Sequence, residues 1–298
     1  MSATESSLLT LVSGSLELQL VPPLGGSIAR LDYCTAEGER IPCLRGVEGK
    51  ATNPLDCACF PLVPFANRVR GGRFVLRGRE VVLQPNLQGD PSPLHGQGWL
   101  APWEVASASA ADAELVFRHK PDEWPWAYEA RQHFALNPEG LSVRLSCANQ
   151  AGEPMPCGLG LHPYFPCTEE SRIDAEVGCA WTIDEQVLPT EKVLAEGRHS
   201  LRDRLICGQD LDNGFGDWGG AARIEAPGLP FRLELSSPDA RFLHIYSPPS
   251  GGFFAAEPVG HANAALNEPE GDWSDLGLRV LAPGEMMSLT MRITVIAV

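Results

Sequence analysis

Apolar and polar residues alternate with a period of two along most of this chain. Residues 16–20 read Leu-Glu-Leu-Gln-Leu, the pattern of a strand with one buried face. Similar runs recur at 114–118, 128–136, 141–147, 231–235, 241–246 and 253–257, and a long last one covers 287–298. Residues 73–77 and 80–84 flank Gly78 and read as a hairpin. Clusters of Gly, Pro, Asn and Asp separate the runs. No window longer than about ten residues carries a helical period. No fixed-length repeat suggests a propeller or solenoid, and no linker-like stretch divides the chain. The pattern predicts one all-β domain over residues 1–298, a large antiparallel β-sandwich.

Composition agrees with that picture. The chain has 298 residues, 44% hydrophobic and 20% charged, with 30 glycines and 26 prolines spread along it. This is enough to bury a large core and supplies many turns for short strands. The formal charge is −15, and only Lys50, Lys120 and Lys192 among the 23 basic residues are lysines. An acidic chain without a basic run repels phosphate backbones, which argues against nucleic acid as a partner. No apolar run reaches the roughly 18 residues of a membrane helix. No basic residue precedes Arg30, so the charged start of a secretory signal is missing. The nine cysteines follow no framework spacing. They read as reduced, mostly buried thiols of a cytoplasmic protein.

Candidate chemistry falls in five stretches. In Gly158-Leu159-Gly160-Leu161-His162-Pro163-Tyr164-Phe165, two glycines permit close backbone approach. Pro163 biases His162 toward an extended conformation, and a histidine so held is a candidate acid or base. Asn67 and Arg68 follow the stiff segment Phe60-Pro61-Leu62-Val63-Pro64-Phe65; arginine's fixed donors suit a carboxylate or sugar hydroxyls. His95-Gly96, with Trp99 and Trp103 nearby, suits a wall for an apolar sugar face, or the tryptophans are core. Asp212 and Asp217, in a Gly-rich stretch, are ligand acceptors or turn caps. Glu257 closes an apolar strand that Pro258 then stops, and burial there would lift its pKa toward that of a working base. No His-x-His or His-x-x-x-His spacing supports a metal site, and Cys57-x-Cys59 has no second pair to complete a zinc set. Nucleophile-elbow and phosphate-loop motifs are absent.

Taken in order, these stretches resemble the aldose 1-epimerase (galactose mutarotase) family over nearly the whole chain. The resemblance is carried by Phe60 to Arg68 with Gly72-Arg73-Phe74, by Leu94-His95-Gly96 with Gly98-Trp99, by His162-Pro163-Tyr164-Phe165, by Leu211-Asp212 with Phe215 and Trp218, and by Glu257-Pro258. It implies a galactose mutarotase-like supersandwich with a sugar cleft. It also implies interconversion of the α and β anomers of a free aldose such as glucose or galactose. By motif position Glu257 looks like the general base and His162 like the general acid. His95, Arg68, Asn67 and Asp212 look like substrate-binding residues. The form Gly-Leu-His-Pro-Tyr-Phe departs from the Asn-His-Ser-Tyr-Phe typical of the best-known galactose mutarotases and resembles a less-characterised bacterial branch.

Mutarotation suits the residue types on independent grounds. It needs a proton taken from the C1 hydroxyl and one given to the ring oxygen, so a carboxylate and an imidazole suffice. No hydride moves, so no cofactor is expected. The partner is then a small sugar, bound by a monomer or homodimer. Two rival readings are a hexose-6-phosphate 1-epimerase, with Arg68, Arg70 and Arg73 as phosphate ligands, and a carbohydrate-binding module without catalysis.

Overall fold

The computed structural model describes residues 8–47 and 51–298. Strands dominate, and every pairing between named strands is antiparallel. A nine-stranded sheet runs in the order Arg204–Leu205, Arg172–Ala175, Ala221–Glu225, Phe231–Ser236, Met286–Ala297, Gly140–Asn149, Tyr128–Asn137, Asp112–His119, Glu104–Ala108. An eight-stranded sheet runs Pro189–Leu194, Cys179–Ile183, Leu211–Gly216, Phe242–Ser247, Phe253–Val259, Gly160–Leu161, Pro61–Leu62, with Tyr164–Pro166 also paired to Phe253–Val259. A four-stranded sheet, Leu9–Ser13 to Arg40–Pro42, and two short ribbons complete the set.

The alternation read from the sequence is the alternation of burial. Along Tyr128–Asn137, the residues Tyr128, Ala130, Gln132, Phe134 and Leu136 are buried, and those between them are not. The hairpin around Gly78 forms as Arg73–Leu76 with Arg79–Val82. One contiguous core draws Phe134 and Val143 from the nine-stranded sheet and Ile245 and Phe254 from the eight-stranded one. The hydrophobic effect over these facing surfaces holds the sandwich together.

The eight-stranded sheet positions the site, because its strands are two-sided. Leu243, Ile245, Phe254 and Ala256 face the main core. Their neighbours Phe242, Ala255 and Val259 belong to a second, smaller apolar cluster with Phe60, Trp99 and Tyr164. His244 and Glu257 share that second face by period two.

Three expectations are corrected. Pro258 does not stop its strand, which runs on to Val259; Pro258 simply lies opposite Leu243. The stretch from Leu211 is not a turn but the strand Leu211–Gly216. Not all cysteines are reduced: Cys167 and Cys207, 40 residues apart in sequence, form a disulfide where two strand ends meet. Of the seven free cysteines, all but Cys34 are buried. Among the described residues no helix is long and apolar enough to cross a membrane.

Candidate active site

His162 sits in a break between two short strands, Gly160–Leu161 and Tyr164–Pro166. Gly160 pairs with Leu62 on one side and Val259 on the other. A Cβ on Gly160 would come within 2.8 Å of the Val259 side chain and 2.9 Å of Leu62, so only glycine lets the three strands close. The His162 backbone N–H donates to the Phe60 carbonyl at 3.1 Å. Its ring stacks on Phe60, with centroids 4.5 Å apart, and packs against Tyr164 at the same distance. His95 meets it edge-on. The imidazole is thus fixed on three sides.

Its open side faces Glu257. His162 Nε2 lies 3.1 Å from Glu257 Oε1, and both residues are almost fully buried. Burial pushes the Glu257 carboxyl up to about 8. Burial, assisted by the charge of His244, draws the His162 imidazole down to about 3. Both directions favour an uncharged pair, which holds one proton between carboxyl and ring. His162 Nδ1 and Glu257 Oε2 have no hydrogen-bond partner among the described residues. A buried polar atom so left is costly unless a ligand serves it.

A second charged group borders the pair. Glu257 lies opposite His244 in the hairpin register. His244 Nε2 is 2.6 Å from Asp212 Oδ1, and its Nδ1 is 3.1 Å from Asn67 Nδ2. Burial opposes charge on His244, but the hydrogen bond to Asp212 and the nearby carboxylates outweigh it and raise its pKa. Burial also lifts Asp212, and His244 and Arg68 more than reverse this. A protonated His244 needs an acceptor at Nδ1, which Asn67 supplies only by turning its amide over. The charge of His244 and the orientation of Asn67 therefore move together.

Asn67 and His95 both have left-handed backbones, with φ of 61°. Each peptide serves the other: Asn67 N–H donates to His95 Nδ1 and His95 N–H donates to the Asn67 carbonyl, both at 3.0 Å. His95 Nδ1 is thus an acceptor. Burial keeps the ring neutral by lowering its pKa well below the usual value, so its proton is on Nε2, as a donor. Such backbone conformations persist where the surrounding structure over-determines them.

These six residues line one cavity of about 370 Å³. Every expected site residue, Glu257, His162, His95, Arg68, Asn67 and Asp212, is on its wall. Of the two readings of the tryptophans, core rather than sugar wall holds. Trp99 and Trp103 are buried, with indole N–H groups spent on the carbonyls of Leu94 and Gly98; Tyr164, Tyr246 and Phe253 line the cavity instead. Asp217 lies outside it. His261 is structural: its Nε2 accepts from the Ala66 N–H at 2.8 Å and its Nδ1 donates to the Ala262 carbonyl. Among the described residues no three His, Cys, Asp or Glu side chains converge as a metal set.

The comparisons with known proteins decide the family. Residues 7–294 match the family model described as aldose 1-epimerase. The chain belongs to the aldose 1-epimerase family. It is 38% identical over 297 residues to the uncharacterized protein YphB of Escherichia coli K12, covering 96% of this chain and 98% of that one. A crystal structure of a candidate aldose 1-epimerase from Escherichia coli K12 superposes with a TM-score of 0.86 at 36% identity, covering 98% of this chain and 99% of that one. A galactose mutarotase-like protein from Clostridium acetobutylicum shares the fold, with a TM-score of 0.86 at 20% identity over 99% of this chain and 96% of that one.

Within this aldose 1-epimerase scaffold, sequence reasoning missed His244 and Arg45. Arg45 lines the cavity, its guanidinium 3.9 Å from the Tyr164 ring centroid and its Nη2 donating to the Leu55 and Cys57 carbonyls. Nothing in its local sequence marks it. His244 was readable: folding the runs 241–246 and 253–257 into a hairpin sets it beside Glu257. Arg68, Arg70 and Arg73 are each engaged by a carboxylate, those of Asp90, Asp184 and Glu80.

Proposed function

We propose that this chain interconverts the α and β anomers of free hexoses, such as glucose or galactose, by acid–base ring opening and reclosure. The observation that carries the reading is the buried Glu257–His162 pair, 3.1 Å apart on the wall of a sugar-sized cavity. Glu257 takes the proton of the C1 hydroxyl while His162, protonated, gives one to the ring oxygen. The ring opens, C1 turns about its bond to C2, and reclosure runs the transfers backward. Ring opening needs the shared proton on His162 at the start and leaves it on Glu257 at the end. In the uncharged resting pair that proton sits on Glu257, so ring opening begins with its passage to His162. Asp212, Asn67, Arg68 and the Nε2–H of His95 present donors and acceptors to the sugar hydroxyls. No cofactor enters the scheme.

Free hexose is favoured over a phosphosugar because the three arginines considered for phosphate already have carboxylate partners. The test is polarimetry of freshly dissolved α-glucose, α-galactose and glucose 6-phosphate. Glu257→Gln and His162→Ala are each expected to lower kcat by about 10²–10⁴-fold while sugar binding persists. Unchanged turnover in both variants would reduce the pair to ligand contacts.

A further inference from the structure

Four side chains on the cavity wall form a closed circuit of polar contacts. Arg68 Nη1 donates to Asn67 Oδ1 at 3.2 Å. Asn67 Nδ2 lies 3.1 Å from His244 Nδ1, and His244 Nε2 lies 2.6 Å from Asp212 Oδ1. Asp212 Oδ2, 3.9 Å from Arg68 Nη2, completes the circuit. Its direction fixes its protons, because a guanidinium only donates and a carboxylate only accepts. Asn67 turns its oxygen to Arg68 and its nitrogen to His244. His244 Nδ1 is therefore an acceptor, and the single proton of this neutral imidazole sits on Nε2. Arg68 is held at two points, by Asn67 at Nη1 and by Asp90 at Nε, 2.9 Å away.

A proton added to His244 opens the circuit at one place. Nδ1 becomes a donor, and the Asn67 amide turns over to meet it. The Asn67 nitrogen then stands where its oxygen stood, 3.2 Å from Arg68 Nη1, donor against donor. A hydroxyl oxygen entering the cavity has two lone pairs and serves both. The closed circuit has no such place.

The surroundings let His244 take that proton. Asp212 faces it from one neighbouring strand and Glu257 from the other, with Arg68 beside them and His162 and His95 across the cavity. Burial opposes the charge, but the Asp212 hydrogen bond and the two carboxylates raise the pKa of His244 above its ordinary value. Burial draws His162 down to about 3 and His95 well below its ordinary value, so neither competes with it near neutral pH.

We propose that His244 is a positioning residue for the sugar: neutral, it holds Asn67 in the closed circuit; protonated, it turns Asn67 and opens a place for a sugar hydroxyl between Asn67 and Arg68. The inference rests on the anomer-interconverting reading for its ligand, a free hexose. The hexose binds the charged form better, takes up a proton on entry and returns it on release. By reciprocity, affinity falls as pH rises through the His244 titration. The change is about three- to tenfold, the worth of one hydrogen bond. In kcat/KM it is a bounded step, distinct from the continuing fall set by the Glu257–His162 pair.

The test uses Glu257→Gln, which removes the carboxyl held at about 8. Glucose and galactose are titrated into it by calorimetry from about pH 5 to 9, in two buffers of different ionisation heat. Nitrogen-15 NMR follows the His244 imidazole with and without sugar. Affinity should fall about three- to tenfold across the range, with proton uptake on binding. The unliganded high-pH ring should carry its proton on Nε2, and sugar should move its titration to higher pH. Adding His244→Gln should flatten the affinity and abolish the uptake, with circular dichroism checking the fold. Asn67→Asp, whose carboxylate accepts from Arg68 and His244 alike, should carry the His244 titration upward without sugar, which a packing role alone would not do. Affinity independent of pH, a pH step that survives His244→Gln, or a His244 titration that sugar does not move would overturn the inference. Turnover by the wild type alongside binding that takes up no proton removes the inference and leaves the reaction. Proton-linked binding without wild-type turnover does the reverse, and no binding of either hexose overturns both.

Discussion

Glu257 and His162 invert the usual order of their side chains: the carboxyl is pushed up to about 8 and the imidazole down to about 3. The sign of the pH dependence follows. Below about pH 3 the pair gains a second proton and has no base. Above about pH 8 it loses its only proton and has no acid. On the proposed chemistry the activity plateau lies between, and kcat/KM for glucose should fall about tenfold per pH unit above the upper limit. The two limits belong to the pair rather than to either residue. A profile already falling from pH 7 to 5, as an exposed carboxylate base would give, would refute the shared proton. Of the groups involved, His162 and Glu257 were legible in the sequence because each breaks an apolar run. Glu257's burial was not: read as the end of its strand it would be solvated, whereas the strand runs on to Val259 and sets Glu257 within the sheet opposite His244.

At the scale of elements, the alternation placed each run it marked to within two residues, because period two is also the period of burial, but it left strands such as Leu9–Ser13, Ser27–Cys34, Cys179–Ile183 and Ala221–Glu225 unread. It failed at Leu211–Gly216, where Asp-Asn-Gly-Phe-Gly has the residues of a turn. Gly216 serves packing: a Cβ on it would be 2.7 Å from Cys179 Sγ and 3.0 Å from the Trp181 ring. The requirement comes from a strand some 35 residues away, which no local pattern reveals. Gly158 is a similar case with a measurable outcome. A Cβ there would meet His261 Cδ2 at 2.0 Å, displacing the ring that receives the Ala66 N–H just before Asn67. Gly158→Ala should cost about 1–3 kcal/mol in a denaturant melt and raise KM by loosening Asn67. A melt and a KM equal to the wild type's would show that His261 yields without effect.

Over the whole molecule, the disulfide is the feature least accessible to sequence reasoning. Cys167 follows Tyr164–Pro166 and Cys207 precedes Leu211–Gly216, and both contact Gly252 at the turn of the hairpin bearing His244 and Glu257. The bridge thus gathers three segments at one end of the cleft sheet. Reduction, or Cys207→Ser, should lower stability by about 2–4 kcal/mol, with hexose turnover retained in the protein that stays folded. An unchanged melting curve would show that the sheet needs no staple there. The single proton of the Glu257–His162 pair has a last consequence. On the proposed chemistry each cycle hands back at one oxygen of the sugar what it removed at another, so the medium is neither acidified nor drained. No relay to bulk water is then required, which is consistent with a pair almost wholly hidden from solvent.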